Sequence, residues 1–255
     1  MRPTNQLLAL LLLAPGLYAN ERAAVGSHAP CPLSVARRSL IPQIADGAGW
    51  KTSLIVTSLE QRPVGYQLTF YSSDGRLMPV SFVNHEAASQ LCGVLPPNGS
   101  ATIETLGTAE TLAQGWVEVY IDGEALAQAI FRQRVSGRPD FEAASPASPS
   151  GRQRFVIAFD NTAGLLTAVA LLNGHANETA RATFTFREEN GGIAGIETVA
   201  LGPFAHAAFA LTDRFAYLSG RRGSAEIVTN TGQVSGLGLR FNPTGPFTTL
   251  TASFP

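Results

Sequence analysis

The chain has 255 residues, which is enough for one large domain or two small ones. Charged residues make up only 15% of it, well below the usual quarter, and its single lysine is Lys51. The formal net charge is −1 and no basic stretch is present, which argues against nucleic acid and anionic membrane surfaces as partners.

The N-terminus carries the pattern of a signal peptide at residues 1–19. Arg2 is followed by an apolar run at 7–13 that is too short to span a bilayer, and Ala19 suits the position before a cleavage site. An uncleaved anchor or a buried helix is the alternative. The pattern predicts a secreted, periplasmic or cell-surface protein with no transmembrane segment after cleavage, because no later stretch is long and apolar enough.

Residues 20–39 are predicted to form an irregular lead that contains Cys31, and the second cysteine of the mature chain is Cys92. In an oxidising compartment these two residues can form a disulfide, although two unrelated thiols are the alternative. Neither cysteine has a histidine or cysteine at metal-ligand spacing, so we expect no metal site here.

The chain contains an internal repeat. Five blocks of the first copy recur in the same order in the second copy. The offsets between matched residues vary from 106 to 116, which indicates about ten extra residues in the first copy around 84–93. The matched pairs begin at Gly49 and Gly164, Leu68 and Phe184, Leu95 and Leu201, Gly115 and Gly223, and Phe131 and Leu239.

Within each copy, apolar residues alternate with polar ones at a period of two, which is typical of strands with one buried face. The pattern predicts seven strands in each copy and an all-β fold of two tandem immunoglobulin-like antiparallel β-sandwich domains. These domains span 40–135 and 154–255, and a linker rich in Pro, Ser and Gly joins them at 136–153. The strands are predicted near 40–44, 51–58, 64–72, 77–83, 100–105, 116–121 and 125–133, and near 154–159, 166–173, 179–188, 194–201, 205–211, 223–229 and 234–241.

Four motifs stand out in the mature chain: residues 41–52 (IPQIADGAGWKT), 159–162 (FDNT), 220–223 (GRRG) and 239–245 (LRFNPTG). Through them the chain resembles a widespread, uncharacterised class of secreted bacterial proteins with tandem immunoglobulin-like β-sandwich repeats. The resemblance implies exported sandwich modules. It supplies no catalytic residues, because none are established for the class.

Aromatic and acidic residues provide the candidate binding sites. Trp50, Trp116 and Tyr120 are candidates for stacking on sugar rings, although burial in a core is the competing interpretation. Asp46, Asp160 and Asn161 lie at the start of second strands and are candidates for a calcium loop, although the preferred interpretation is that they bond their own turn backbone. Glu118 and Glu226 recur in both copies as solvated residues or as members of a shared ion pair.

No catalytic grouping or cofactor motif is evident in the sequence. The four histidines, His28, His85, His175 and His206, are isolated from one another, and no nucleophile elbow occurs. We therefore expect a non-enzymatic surface or envelope module for adhesion or scaffolding, with a protein or glycan partner outside the cytoplasm. The alternatives are a carbohydrate-binding module and a hydrolase whose site lies between the two domains.

Overall fold

The fold is almost entirely β-structure, as the periodicity predicts. The computed structural model describes residues 31, 33, 36–149 and 152–254, so the predicted signal peptide and most of the predicted lead lie outside the described residues. The first-half strands are β1 (Arg37–Asp46), β2 (Trp50–Ser58), β3 (Val64–Ser72), β4 (Gln90–Leu95), β5 (Ser100–Glu104), β6 (Ala113–Ile121), β7 (Ala125–Gln133), β8 (Phe141–Pro146) and β9 (Ser148–Pro149).

The second half repeats this series of strands. It also contains one short helix, α1 (Leu211–Arg214), and a 3₁₀ turn at Ala216–Leu218. Its strands are β10 (Arg154–Asp160), β11 (Leu166–Asn173), β12 (Ala180–Glu188), β13 (Ile193–Leu201), β14 (His206–Ala210), β15 (Arg222–Thr229), β16 (Val234–Phe241) and β17 (Phe247–Thr251).

The described strands form four antiparallel sheets, two in each half. Sheet 1 has the order β4-β3-β6-β1-β9 and sheet 2 the order β5-β2-β7-β8. Sheet 3 has the order β10-β15-β12-β13 and sheet 4 the order β14-β11-β16-β17. Strands β1 to β8 correspond in chain order to β10 to β17, and corresponding strands have the same neighbours in their sheets. Only β9 has no counterpart. The duplication seen in the sequence is therefore also a duplication of strand order.

Each half encloses its own hydrophobic core. In the first half, Leu68 and Val119 of sheet 1 pack against Leu54 of sheet 2. In the second half, Phe184 of sheet 3 packs against Leu171 of sheet 4. This arrangement confirms the predicted sandwich architecture. The strand order differs from that of an immunoglobulin constant domain, because the first, fourth and seventh strands of each half lie in the opposite sheet.

Matched residues of the repeat occupy equivalent positions. A Cβ on Gly115 would lie 1.9 Å from the carbonyl oxygen of Tyr71, and a Cβ on Gly223 would lie 1.9 Å from that of Arg187. Glycine recurs there because any side chain would collide with the neighbouring strand. The register also shows that Phe131 corresponds to Arg240, which corrects the predicted match to Leu239. The shift arises because the turn before β16 is one residue longer than the turn before β7.

Two segments differ from the prediction. Residues 77–83 form isolated bridges instead of the predicted strand, and the strand that pairs with β3 at this edge is β4, which was not predicted. Pro79 cannot donate a ladder hydrogen bond, although Met78, Val80 and Phe82 are buried as their alternation indicates. The region 136–153, predicted as a linker, contains β8 and β9, which pair with β7 and β1. Proline is compatible with both because they lie at sheet edges.

The predicted pairing of the two cysteines is confirmed. Cys31 and Cys92 form a disulfide with their Cα atoms 5.8 Å apart. Cys92 lies on β4, which is the edge strand of sheet 1, so the disulfide attaches the segment before β1 to that edge.

Candidate functional site

The two halves meet along the outer face of sheet 4, and we call this contact region the junction. In β11 every residue from Thr167 to Asn173 is buried, because its inner face lines the second core while its outer face packs against the first half. The continuous apolar run at 168–172 is the local signal for burial on both faces. Five of the residues named from the sequence lie in or beside the junction: Trp50, Trp116, Glu118, Tyr120 and His206.

An aromatic cluster occupies one side of the junction. The ring of Trp50 lies 6.3 Å from that of Phe131 and 5.5 Å from that of Phe247 in the second half, measured between centroids. Phe241 also contacts Phe247, at 5.4 Å. Trp50 is only 2% exposed, so its ring faces neighbouring aromatic rings and is shielded from solvent.

A second aromatic stack occupies the other side of the junction. Tyr71 lies between Trp116 and Phe204, with ring centroids 4.5 Å and 4.7 Å away. The indole Nε1 of Trp116 donates a 2.8 Å hydrogen bond to the carbonyl oxygen of Phe204. Trp116 is fully buried, so neither tryptophan presents a ring face to a sugar.

A buried ion pair lies beside this stack. Arg38 Nε donates to Glu118 Oε1 at 2.6 Å, and their side chains are 17% and 9% exposed. The Tyr71 and Tyr120 hydroxyls donate to the same carboxylate, each at 3.3 Å. Burial, reinforced by the charge of Glu118, raises the pKa of both tyrosines. Half-buried Tyr120, the third candidate for sugar stacking, therefore helps to hold the carboxylate.

Arg38 also connects the two halves directly. Its guanidinium donates to the Gln233 side chain and to the Gly174 carbonyl oxygen, both in the second half. These bonds use the fixed fork of donors that distinguishes arginine from lysine. The Arg38–Glu118 pair thus stabilises the first sheet and also attaches it to the neighbouring sandwich.

His206 is a further buried polar residue at the junction. Its Nδ1 lies 3.1 Å from Ser73 Oγ, and its Nε2 lies 2.9 Å from Gln43 Oε1. The Gln43 amide nitrogen donates to the Ile44 carbonyl, which leaves Oε1 as the acceptor, so the proton is assigned to Nε2 and Nδ1 accepts from Ser73. Gln43 reaches the histidine because a β-bulge between Ile41 and Ile44 inserts an extra residue into β1.

This polar group has part of the geometry of a nucleophile and its base. An imidazole that accepts a proton from a serine must carry a positive charge, which a carboxylate normally stabilises. Gln43 orients the ring but supplies no charge, and burial lowers the pKa of His206 to about 4. His206 is therefore neutral at pH 7 and joins Ser73 of the first half to the second half.

The calcium candidates bond to nearby backbone. Asp46 Oδ1 accepts the Gly107 N–H at 2.9 Å, Asp160 Oδ1 accepts that of Thr162 at 3.0 Å, and Asn161 Oδ1 accepts that of Thr167 at 2.7 Å. Within residues 36–149 and 152–254, no three His, Cys, Asp or Glu side chains converge to hold a metal ion. The contacts of Asp160 and Asn161 lie within the turn between β10 and β11, as the turn-backbone alternative expects, whereas Asp46 bonds to a loop 61 residues further along the chain.

The sequence did not identify four residues that organise the junction: Arg38, Gln43, Ser73 and His206. Their partners are distant in the chain, with separations of 133 residues for Ser73 and His206 and 163 for Gln43 and His206. The recurrence of Glu118 and Glu226 was the one available signal. It marks two equivalent ion pairs, whose arginine partners are Arg38 and Arg154.

Comparison with known proteins adds no further assignment. No protein-family model, curated protein or solved structure matches the chain. No helix among the described residues has the length and apolar character needed to cross a membrane.

Proposed function

We propose that the chain is an exported, non-catalytic module of the bacterial surface or envelope that contributes adhesion or scaffolding. The observation that carries this proposal is the use of the junction side chains. Trp50, Trp116, Glu118 and His206 hold one half against the other, and their contacts give them a structural role. Two sandwiches joined in this way suit a spacer whose outer surfaces meet a partner.

The disulfide supports the export part of the proposal. Structural disulfides persist in oxidising compartments and are rare in the cytosol of mesophiles. The Cys31–Cys92 bond closes a long segment of the first half and attaches it to an edge strand. Together with the signal pattern at 1–19, it favours a protein that folds after export.

Localisation and phenotype test this proposal together. The full chain, expressed in its host with a C-terminal tag, should be recovered outside the cytoplasm, shortened at its N-terminus and without free thiols. Deletion of the gene should reduce attachment or weaken the envelope, and the wild-type gene should restore it. An intact, reduced chain in the cytoplasm, or deletion without any surface phenotype, would contradict the proposal.

A hydrolase with a site between the halves is the second candidate, and one observation favours it. The exposed Ser73 places its hydroxyl 3.1 Å from His206 Nδ1. A panel of ester, peptide and glycoside substrates, together with a serine-reactive fluorophosphonate, tests it. Turnover or labelling that disappears in Ser73→Ala but persists in Ser72→Ala would establish the hydrolase and overturn the non-catalytic proposal.

A further inference from the structure

The edge strands of the four sheets differ in how they are protected. An edge strand exposes backbone N–H and C=O groups that can pair with another strand, and proteins usually cover or interrupt such edges. In sheet 1, Cys92 of β4 is bonded to Cys31, and Leu33 lies beside the same edge. At the opposite edge, Ser148 of β9 bonds to Ser235 of the second half.

The remaining edges are covered in other ways, with one exception. Residues 81–83 bond to the end of β5, and Val156 of β10 exchanges two backbone hydrogen bonds with Ser253. The β8 and β17 edges face each other, with Thr249 donating to the Ala144 carbonyl. β14 has only five residues, and its first N–H donates to the Ser73 carbonyl.

The exception is β13, which has nine residues and pairs with β12 on one side only. Within the described part of the chain, no backbone group on the other side bonds to residues 193–200. The strand contains no proline, lysine or arginine, and Glu197 is its only charged residue. Ile193 and Ile196 are 57% and 60% exposed, which leaves an apolar stretch along an uncovered edge.

The equivalent edge in the first half shows what β13 lacks. Leu68 of β3 and Phe184 of β12 are equivalent, and their partners across the sheet are Leu91 and Glu197. The next residues along the two edge strands, Cys92 of β4 and Thr198 of β13, are therefore equivalent as well. At this position the first half carries the disulfide and the second half a small polar side chain. The repeat therefore protects one copy of this edge and leaves the other available.

We propose that β13 is a docking edge for a second copy of this chain. Since the other described edges are short, interrupted by a bonded segment or in contact with another element, β13 is the longest uncovered edge, and we expect strand pairing between copies to join β13 to β13. An interface that uses the same surface on both copies closes at a dimer. The two copies of sheet 3 then form one antiparallel sheet of eight strands, which is within the usual size range.

Side-chain chemistry selects the register of this pairing. Placing Glu197 opposite its own copy would put like charges face to face, which is unfavourable. Pairing Ile196 with Ile196 of the second copy avoids this contact, because Glu197 then lies opposite Gly195. It also buries two exposed isoleucines against each other at the symmetry axis.

Sedimentation analysis of the exported chain over a concentration series tests the proposal. The wild-type protein should be a dimer, and Ile196→Lys should be a folded monomer because two lysines would face each other. Leu126→Lys is the matched control: Leu126 is 63% exposed but lies on β7, an interior strand of sheet 2. This control should remain a dimer, and circular dichroism should report strand structure in both variants.

A charge-pair experiment sharpens the result. Ile196→Glu alone should also be a monomer, whereas an equimolar mixture of Ile196→Lys and Ile196→Glu should form a mixed dimer. A monomeric wild-type protein, a dimer that survives Ile196→Lys, or loss of the dimer in Leu126→Lys would each overturn the proposal. A monomer whose β13 amides are protected from hydrogen exchange would show that the chain's own N-terminal segment covers the edge, and would overturn it as well.

Discussion

The two halves share one strand order, but corresponding strands lie in different surroundings. In β2 the outward side chains, such as Lys51 and Ser53, are partly exposed, whereas in the equivalent β11 both faces are buried. The inner faces of the two strands are similar: Thr52, Leu54 and Val56 correspond to Thr167, Val169 and Leu171. In these two strands the shared topology goes with similar inner-face residues, while the outer-face residues differ according to what each sheet contacts.

The two Arg–Glu pairs show the same contrast in electrostatics. Arg38–Glu118 and Arg154–Glu226 occupy equivalent positions, and each has its closest N–O distance at 2.6 Å. The first pair is buried at the junction, whereas Arg154 and Glu226 are 58% and 21% exposed. The same contact is thus part of an interface in one copy and lies near solvent in the other.

The largest expected difference between the halves concerns Trp50 and its counterpart Leu165. Trp50→Ala should destabilise the protein by roughly 5 kcal/mol, since it leaves a cavity among aromatic rings of both halves. Leu165→Ala, at a half-buried position, should cost only about 1 kcal/mol. Urea unfolding measures both, and similar losses would show that Trp50 does not connect the halves.

The disulfide exists only in the first half and should have the next largest effect. Replacing both Cys31 and Cys92 by alanine releases a segment of 61 residues, which the chain-entropy model values at about 4 kcal/mol. Unfolding of the double variant should therefore begin at a lower urea concentration than that of the oxidised wild-type protein. Reduced wild-type protein is the control and should match the variant, whereas equal stability of oxidised and reduced protein would contradict the expectation.

The two glutamates should respond differently to the same change. Glu118→Gln leaves Arg38 buried without its counter-charge and should cost about 3 kcal/mol. Glu226→Gln removes a largely solvated pair and should cost less than about 1 kcal/mol. Equal losses of unfolding free energy in the two variants would mean that burial at the junction does not make the Arg38–Glu118 pair more important for stability than the Arg154–Glu226 pair.

The smallest expected effect is a pH dependence from His206. Because burial lowers its pKa to about 4, the unfolded chain takes up a proton near pH 6.5 while the folded chain does not. Stability from this group is therefore full above pH 6.5 and is lost as the pH falls toward 4, by about 1 kcal/mol between pH 7 and 5.5. In the His206→Gln variant the free energy of unfolding should fall less steeply between pH 7 and 5.5. If it falls as steeply as in the wild-type protein, His206 is not the source of the pH dependence.

Much of the fold could be predicted because its signals are local. Alternation along β3 and β12 identified strands with one buried face, and the predicted bounds of β16 agree with the structure. The segment at 136–153 was missed because β8 and β9 contain prolines and small residues that resemble a loop. Such residues form strands at a sheet edge, where hydrogen bonds to the neighbouring strand hold them in the extended conformation.

The candidate binding residues were harder to interpret because their chemistry is ambiguous. A tryptophan on a strand suits a sugar platform and a buried contact equally well, and only the position of the second half places Trp50 and Trp116 inside. Tyr120 likewise required the location of Glu118 before its hydroxyl could be assigned a partner.

The sequence by itself determined the β-sandwich architecture, the duplication and the cysteine pair. Periodicity, repeated motifs and the number of cysteines can be read along the chain, without knowing which distant segments come into contact after folding. The tertiary structure decided which faces meet at the junction and which edge stays uncovered. Contacts such as Arg38 with Gln233, separated by 195 residues, depend on how one finished sandwich packs against the other. The buried run in β11 indicates a partner on both faces, but the identity of that partner emerges only when both halves have folded.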